Sequence, residues 1–305
     1  MSKAYDELLR RCRPLEPVVT AVAYPCEQTA LTSVIEAAEA RLISPILVGP
    51  REQIREVAAK ANLNIDLYPI EEAVDALSAA AKAVAIVRAG RAEALMKGSL
   101  HTDELMSAVV PSATGLRTGR RISHAFVMSL PTYPKPLIVT DGAINIAPTL
   151  EDKRDICQNA IDLAHSLGRA QPKVAILSAV ETVTTKIPST IDAAALCKMA
   201  DRGQITGALL DGPLAMDNAI SAEAARTKGI TSAVAGDADI LVAPDLEAGN
   251  ILAKQLTFLA NADAAGLVLG ARVPIILTSR ADSVISRMAS CGVALLVAHA
   301  RRSGK

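Results

Sequence analysis

Apolar positions along the chain follow two periods. Short continuous apolar runs at residues 18–23, 45–48 and 94–96 read as strands, and between them apolar residues recur at helical spacing over 28–41, 51–61 and 71–89. A further short run at 65–68 fits another strand of the same series. The runs are unbroken rather than alternating in and out, as expected when helices cover both faces of a sheet. Strand and helix patterns therefore alternate as in parallel β-α units. A second series of apolar runs occupies 124–130, 136–140, 173–177, 205–210, 240–243, 267–269 and 273–277. Helical patterns fall between most of these, for example at 150–167, where Thr149 with Asp152 three residues on predicts a capped helix start. The pattern predicts an α/β protein of two α/β domains with mainly parallel sheets. With no linker or repeat in the chain, the boundary follows topology: a discontinuous first domain, 1–129 plus 272–305, and a second, 130–271.

Composition narrows this picture. Half of the 305 residues are hydrophobic, enough to bury two sizeable cores without covalent staples. Lys plus Arg and Asp plus Glu balance at 32 each, with no Trp, two Phe and four Tyr, so there is neither a basic stripe nor the stacking aromatics of a nucleic-acid binder. The five cysteines (Cys12, Cys26, Cys157, Cys197 and Cys291) are odd in number and lack C-x-x-C spacing. They predict reduced thiols rather than a disulfide framework or a zinc site. The first fourteen positions carry charges and no apolar signal core, and no run of about 18 apolar residues follows, so the expectation is a cytoplasmic protein with no membrane partner.

Candidate chemistry gathers at the ends of the apolar runs. Thr140-Asp141-Gly142-Ala143-Ile144-Asn145, Leu210-Asp211-Gly212-Pro213-Leu214-Ala215-Met216-Asp217-Asn218 and Ala243-Pro244-Asp245-Leu246-Glu247-Ala248-Gly249-Asn250 each lie just past a predicted strand. Ligands of open α/β sheets bind outside such carboxyl ends, which makes Asp141, Asn145, Asp211, Gly212, Asp217, Asn218 and Asn250 candidate cleft residues. The run 273–277 stops at Thr278-Ser279-Arg280-Ala281-Asp282-Ser283, and helical spacing begins with Val284, Ile285, Met288, Cys291 and Leu295. Such a junction offers unpaired N–H groups and a guanidinium fork to an anion. The same residues, Ser279 to Asp282, also fit an S-x-x-D capping box, a purely structural helix start. Between 114 and 123 a glycine-containing loop carries Arg117, Arg120, Arg121 and Ser123, a composition able to wrap a polyanion and equally that of a solvated surface loop.

Several familiar chemistries lose their warrant. Val22-Ala23-Tyr24-Pro25-Cys26-Glu27 holds no glycine, so the G-x-G-x-x-G turn of a dinucleotide site is missing, as are G-x-x-x-x-G-K-[ST], H-E-x-x-H and G-x-S-x-G. His101, His124, His165 and His299 are isolated and read as structural or surface residues. What remains is a set of Arg, Ser, Thr and Asp loops suited to gripping phosphate and positioning substrates, without a covalent enzyme intermediate.

Taken together, Leu277-Thr278-Ser279-Arg280-Ala281-Asp282-Ser283, Gly212-Pro213-Leu214-Ala215-Met216-Asp217-Asn218-Ala219, Pro244-Asp245-Leu246-Glu247-Ala248-Gly249-Asn250-Ile251 and Gly115-Leu116-Arg117-Thr118-Gly119-Arg120-Arg121 resemble the phosphate acetyl/butyryltransferase family, in a form closer to its butyryltransferase branch. The resemblance runs over nearly the whole chain. It implies the reaction acyl-CoA plus orthophosphate to acyl phosphate plus CoA, by direct transfer in a ternary complex. It implies a two-domain, isocitrate/isopropylmalate dehydrogenase-like architecture with the active site in the interdomain cleft. CoA and acyl-CoA are then substrates, no cofactor is tightly bound, no metal is required, and the protein is a homo-oligomer, at least a dimer. Ser279 and Arg280 are implied as phosphate ligands, with Arg121, Ser123 and Arg117 on the opposite side of the substrate, and Asp282 as the base for the CoA thiol. An aspartate of ordinary pKa, ~3.9, is a weak base towards a thiol near ~8.5, so Asp282 serves either by an upward shift or by orienting the thiol. Two alternatives stay in view: a non-catalytic acyl-CoA or phosphate-binding protein of the same fold, and a metal-dependent decarboxylating dehydrogenase, against which the absent glycine turn counts.

Overall fold

In the computed structural model, which describes residues 3–278 and 282–304, the predicted alternation is realised as β-α units. The chain opens with α1 (Lys3–Cys12), β1 (Val18–Ala23), α2 (Gln28–Glu39), β2 (Ile43–Gly49), α3 (Arg51–Lys60), β3 (Ile70–Glu72), α4 (Ala76–Arg88), β4 (Ala94–Lys97) and α5 (Thr102–Val109). It continues through β5 (Ser123–Ser129), β6 (Leu137–Thr140), α6 (Leu150–Ser166), β7 (Lys173–Leu177), α7 (Pro188–Asp201), β8 (Leu209–Leu214), α8 (Met216–Ile220), α9 (Ala222–Thr227), β9 (Ile240–Val242) and α10 (Leu246–Phe258). It closes with β10 (Asp263–Leu269), β11 (Ile275–Ile276) and α11 (Val284–Arg302). These elements form two units, 1–120 with 265–305 and 121–264.

In the first unit the strands lie in the order β3-β2-β1-β4-β11-β10. β1 is parallel to both β2 and β4, β3 to β2 and β11 to β4, whereas β10 and β11 are antiparallel. In the second unit the order is β5-β6-β9-β7-β8, with β6, β9, β7 and β8 mutually parallel and β5 antiparallel to β6. Both sheets are therefore mixed, which corrects the expectation of mainly parallel sheets. The reason is connection length. A parallel crossover needs a dozen or more residues, and only residues 130–136 join β5 to β6 and 270–274 join β10 to β11.

Local chemistry explains the other departures from the sequence pattern. Residues 65–68 form a turn, not a strand, with Tyr68 N donating to the Ile65 carbonyl and Asp66 N to the Asn64 side chain; the strand begins at Ile70, where the chain registers against Leu47. Helix α4 starts at Ala76 rather than near 71 because Asp75 caps it, its carboxylate accepting from Ser78 N at 2.8 Å. The predicted strand at 205–210 forms four residues later, as β8. The Thr149 cap is present as expected, paired with Asp152. α11 is long and apolar enough to cross a membrane by composition, but most of it, from Arg287 to Ala298, is buried in the core of its own unit.

Candidate functional site

The first unit carries a cavity at the carboxyl ends of its central strands. β1 and β4 end together, Ala23 beside Lys97, with β11 on the far side of β4. Glycine is required just past β4: Gly98 N donates to Ala23 O at 2.9 Å, and a Cβ there would meet that oxygen at 2.4 Å and Tyr24 O at 2.5 Å. Ser99 next in line donates through Oγ to Tyr24 O at 2.7 Å and accepts from Cys26 N at 2.9 Å, locking the 97–99 turn onto the chain leaving β1. The cavity, about 30 Å³, is lined by this turn, by Thr278 after β11, by Thr29 and Ser33 of α2, and by Arg287 of α11.

Two cations line it and both are buried, Lys97 at 8% exposure and Arg287 at 9%. Lys97 Nζ donates to the carbonyls of Gly98 and Leu100, each at 3.2 Å. Arg287 donates from Nη1 to Ser33 Oγ at 2.8 Å and from Nη2 to Asp282 O at 2.7 Å. Ser33 in turn donates to Thr29 O at 2.8 Å. The guanidinium thus clamps the chain immediately after residues 279–281. Ser279 and Arg280, the phosphate ligands expected from sequence, lie outside the described residues. Asp282 is half-buried with its carbonyl held by Arg287. The cap of α11 is Ser283, whose Oγ accepts from Ser286 N at 3.1 Å, four positions after the serine that the S-x-x-D pattern makes the cap.

Lys97 and Arg287 were not among the residues singled out from sequence, and each had a signal. Lys97 ends a strand that is otherwise entirely apolar. Arg287 falls on the apolar stripe of α11 with Val284, Cys291 and Leu295, the position where a charge stays only with dedicated partners.

The second unit gathers another group of expected residues. Asp141, 3% exposed, accepts from the N–H groups of Ala143 (2.9 Å), Ile144 (3.1 Å) and Asn145 (3.2 Å) and from Asn145 Nδ2 at 2.5 Å. Asn145 also donates to Ile122 O at 2.9 Å and accepts from Arg121 Nε at 2.7 Å. Arg121, half-exposed, pairs with Asp152 at 3.5 Å, and its backbone N–H donates to Asp155. Asn250 of α10 donates to Gly142 O at 2.9 Å, and Gly249 lies so close to this loop that a Cβ would meet Asp141 O at 2.2 Å. Ser123 is buried, its hydroxyl accepting from Asn159 Nδ2 at 2.9 Å. Beneath the loop, His124 packs edge-on to Phe126 at 4.3 Å. Burial pushes its pKa down to about 4 against the opposing pull of the Asp141 charge, so it is neutral.

The other expected cleft residues are placed differently. Asp211 and Gly212 lie within β8 itself, and Asp217 and Asn218 on α8. Asn218, fully buried, donates to Glu181, and Lys228 bridges Glu181 at 2.9 Å and Asp217 at 3.3 Å. Arg117 belongs to the first unit, in an isolated antiparallel bridge to Ala271. Burial pushes the Cys12 thiol up to about 11 and those of Cys26, Cys157, Cys197 and Cys291 up to about 12, so none is a thiolate at neutral pH. Among the described residues no three His, Cys, Asp or Glu side chains gather as a metal site.

Comparison with known proteins supplies the remaining context. The family described as phosphate acetyl/butaryl transferase matches residues 68–294. A phosphate acetyltransferase of Rhizobium meliloti is 65% identical over 301 residues, 99% of this chain and 95% of that protein. A phosphate butyryltransferase of Clostridium beijerinckii is 43% identical over 298 residues, 98% of this chain and 99% of its own. Among solved structures, a branched-chain phosphotransacylase from Enterococcus faecalis superposes with a TM-score of 0.81 at 31% identity, over 92% of this chain and 99% of that one. These likenesses, with the mixed sheets, replace the isocitrate/isopropylmalate dehydrogenase-like architecture expected from sequence, and the interdomain cleft tied to it, by an α/β fold of phosphotransacylase type.

Proposed function

The chain belongs to the phosphate acetyl/butaryl transferase family and is a phosphate acyltransferase acting on acyl-CoA, and from that premise we propose which residues carry the reaction. The observation that supports the assignment is the cavity at the ends of β1, β4 and β11, lined by Thr278 and Arg287 on either side of residues 279–281. Ser279 and Arg280 hold the phosphate, the arginine through two parallel N–H donors. Arg121, steered by Asn145 and Asp152 in its own unit, keeps the phosphate-binding role that the family resemblance implies for it, as do Arg117 and the buried Ser123. Asp141, Asn145 and Asn250 frame the loop that receives acyl-CoA, and Asp211, Gly212, Asp217 and Asn218 shape the neighbouring strand and helix.

A phosphate oxygen attacks the thioester carbon, negative charge develops on the carbonyl oxygen, the C–S bond breaks, and the sulfur leaves as thiolate to be protonated. Arginine donors fixed before the reaction stabilise that charge. Asp282 relays to sulfur the proton that the attacking hydrogenphosphate gives up, and in reverse takes it from the CoA thiol and passes it to the departing phosphate. Five protonated, buried or half-buried thiols offer no cysteine nucleophile, which favours direct transfer between two bound substrates over an acyl-enzyme. The substrates are short-chain acyl-CoA, spanning the acetyl and butyryl groups in the relatives' names, and no cofactor is tightly bound. The same reading makes the protein a cytoplasmic homo-oligomer.

The test is CoA release from acetyl-, propionyl- and butyryl-CoA with and without orthophosphate. Release only in the presence of phosphate, and a phosphate KM raised at least about tenfold in Arg280→Ala, are the expected results. Phosphate-independent release, or none with any acyl chain, overturns the assignment.

A further inference from the structure

We propose that Asn145 is a positioning residue of the reaction, setting the guanidinium of Arg121 in the orientation in which it meets the phosphate. The inference rests on the phosphate role given to Arg121 above, and adds to it the device that turns a half-exposed arginine into an aimed donor.

The device is built from the buried side outwards. Asp141, just past β6, has both carboxylate oxygens engaged by the turn that follows it. Oδ1 accepts from Ala143 N at 2.9 Å and Ile144 N at 3.1 Å, and Oδ2 from Asn145 N at 3.2 Å and Asn145 Nδ2 at 2.5 Å. Asn145 Nδ2 also donates to Ile122 O at 2.9 Å. Both hydrogens of the amide thus go to acceptors, a carboxylate and a carbonyl, and this fixes which end of the amide is nitrogen. Its oxygen is left with one direction, and there Arg121 Nε donates to it at 2.7 Å. Asn145 is 2% exposed, so water does not compete for that orientation.

Arg121 is held at its other end by α6. Its backbone N–H donates to Asp155 Oδ2 at 2.8 Å, and its carbonyl accepts from Asn159 Nδ2 at 2.9 Å. With the main chain fixed by α6 and Nε fixed by Asn145, the torsions between them keep little freedom, and the planar guanidinium is aimed. Among the described residues both contacts of the side chain, to Asn145 and to Asp152 Oδ1 at 3.5 Å, are made at Nε, which leaves the Nη edge to the half-exposed side. An ion pair of that length and exposure is worth little, so Asp152 does not withhold the charge. Two Nη donors side by side match two oxygens of a phosphate. A loose arginine gives up rotamer freedom when it binds. Here the fold has removed that freedom beforehand, which is the gain of a preorganised donor.

A double-mutant cycle read in the phosphate KM tests this. Asn145→Ala is expected to raise the phosphate KM about fivefold or more and leave the acyl-CoA KM within about twofold, with circular dichroism unchanged. Added to Arg121→Ala, the same substitution should change the phosphate KM by less than about twofold, because the group it acts through has gone. A phosphate KM unchanged in folded Asn145→Ala overturns the proposal. So does an equal rise in both backgrounds, the result that a merely structural role of the 141–145 turn would give. Should Asn145→Ala fail to fold, Arg121→Lys carries the test, since it keeps the charge on a half-exposed side chain and has no Nε–H for Asn145 to receive. It should then lose at least about half of what Arg121→Ala loses on a logarithmic scale, and a phosphate KM within about twofold of wild type overturns the proposal. A phosphate KM unchanged in Arg121→Ala removes the phosphate role of Arg121 itself and the proposal with it, a failure distinguishable from the others because Asn145 is untouched in that variant.

Discussion

Asp282 is the residue proposed to carry the proton, and its setting is defined on one side. Its carbonyl is gripped by Arg287 and it directly precedes the cap of α11, so its side chain leaves a backbone that is held rather than loose. Asp282→Asn keeps the size and loses the proton acceptor. General bases contribute about 10²–10⁴-fold, so kcat towards acyl-CoA formation should fall about a hundredfold or more with the phosphate KM little changed. Turnover unchanged in that variant removes Asp282 as the base. At this scale the sequence showed residue type and missed partnership. Arg280 and Ser279 stood out because they interrupt an apolar pattern at a strand end. Lys97 and Arg287 gave the same kind of interruption, but what marks them is a hydroxyl and three carbonyls drawn from α2, residues 98–100 and residue 282, and such meetings cannot be read from one segment.

At the scale of elements, the turn after β4 is the most constrained piece of the site. Gly98 lies against the backbone of residues 23 and 24, so Gly98→Ala forces carbonyl oxygens, not flexible side-chain ends, to move. Overpacking of this kind costs about 1–3 kcal/mol, and calorimetry should show a melting temperature lowered by about 2–10 °C. A melting temperature within about 1 °C of wild type would mean that the turn relaxes freely. Helices were legible where a cap and a long apolar stripe agreed, as at Thr149 and α6. Short strands were legible unevenly: 94–96 and 240–243 match β4 and β9, but residues 65–68 have strand-like composition and fold into a turn, because only Ile70–Glu72 finds the register offered by β2. The Ser279–Asp282 pattern was likewise ambiguous until Ser283 proved to hold the cap.

For the whole molecule, acid sensitivity has an identifiable source in the second unit. His124 has an ordinary pKa of 6.5 when unfolded and about 4 when folded. Between those values the unfolded chain binds a proton that the folded chain does not, so stability is full above pH 6.5 and declines as pH falls towards 4. The slope reaches at most ~1.4 kcal/mol per pH unit from this residue. Urea unfolding midpoints should therefore drop between pH 6.5 and 4.5, and less steeply in His124→Leu. Equal slopes in both proteins would place the sensitivity elsewhere, for instance in carboxylates such as Asp237, which Lys135 and Lys173 hold below the usual range.

The sequence by itself determined the α/β class, the family and the reaction, because apolar period, strand-end polarity and four ordered motifs are local properties that survive without coordinates. Tertiary structure decided the rest. β5 and β10 join antiparallel partners because short connections permit no crossover. Asp141, Asn145 and Arg121 form one hydrogen-bonded group, while Asp217 and Asn218 are drawn to Glu181 and Lys228. Lys97 and Arg287, 190 positions apart by their numbering, line one cavity because β4 and β11 are neighbours and α11 packs against α2. Each of these depends on which distant segments the buried cores bring together, and a buried charge can be understood only once those neighbours are known.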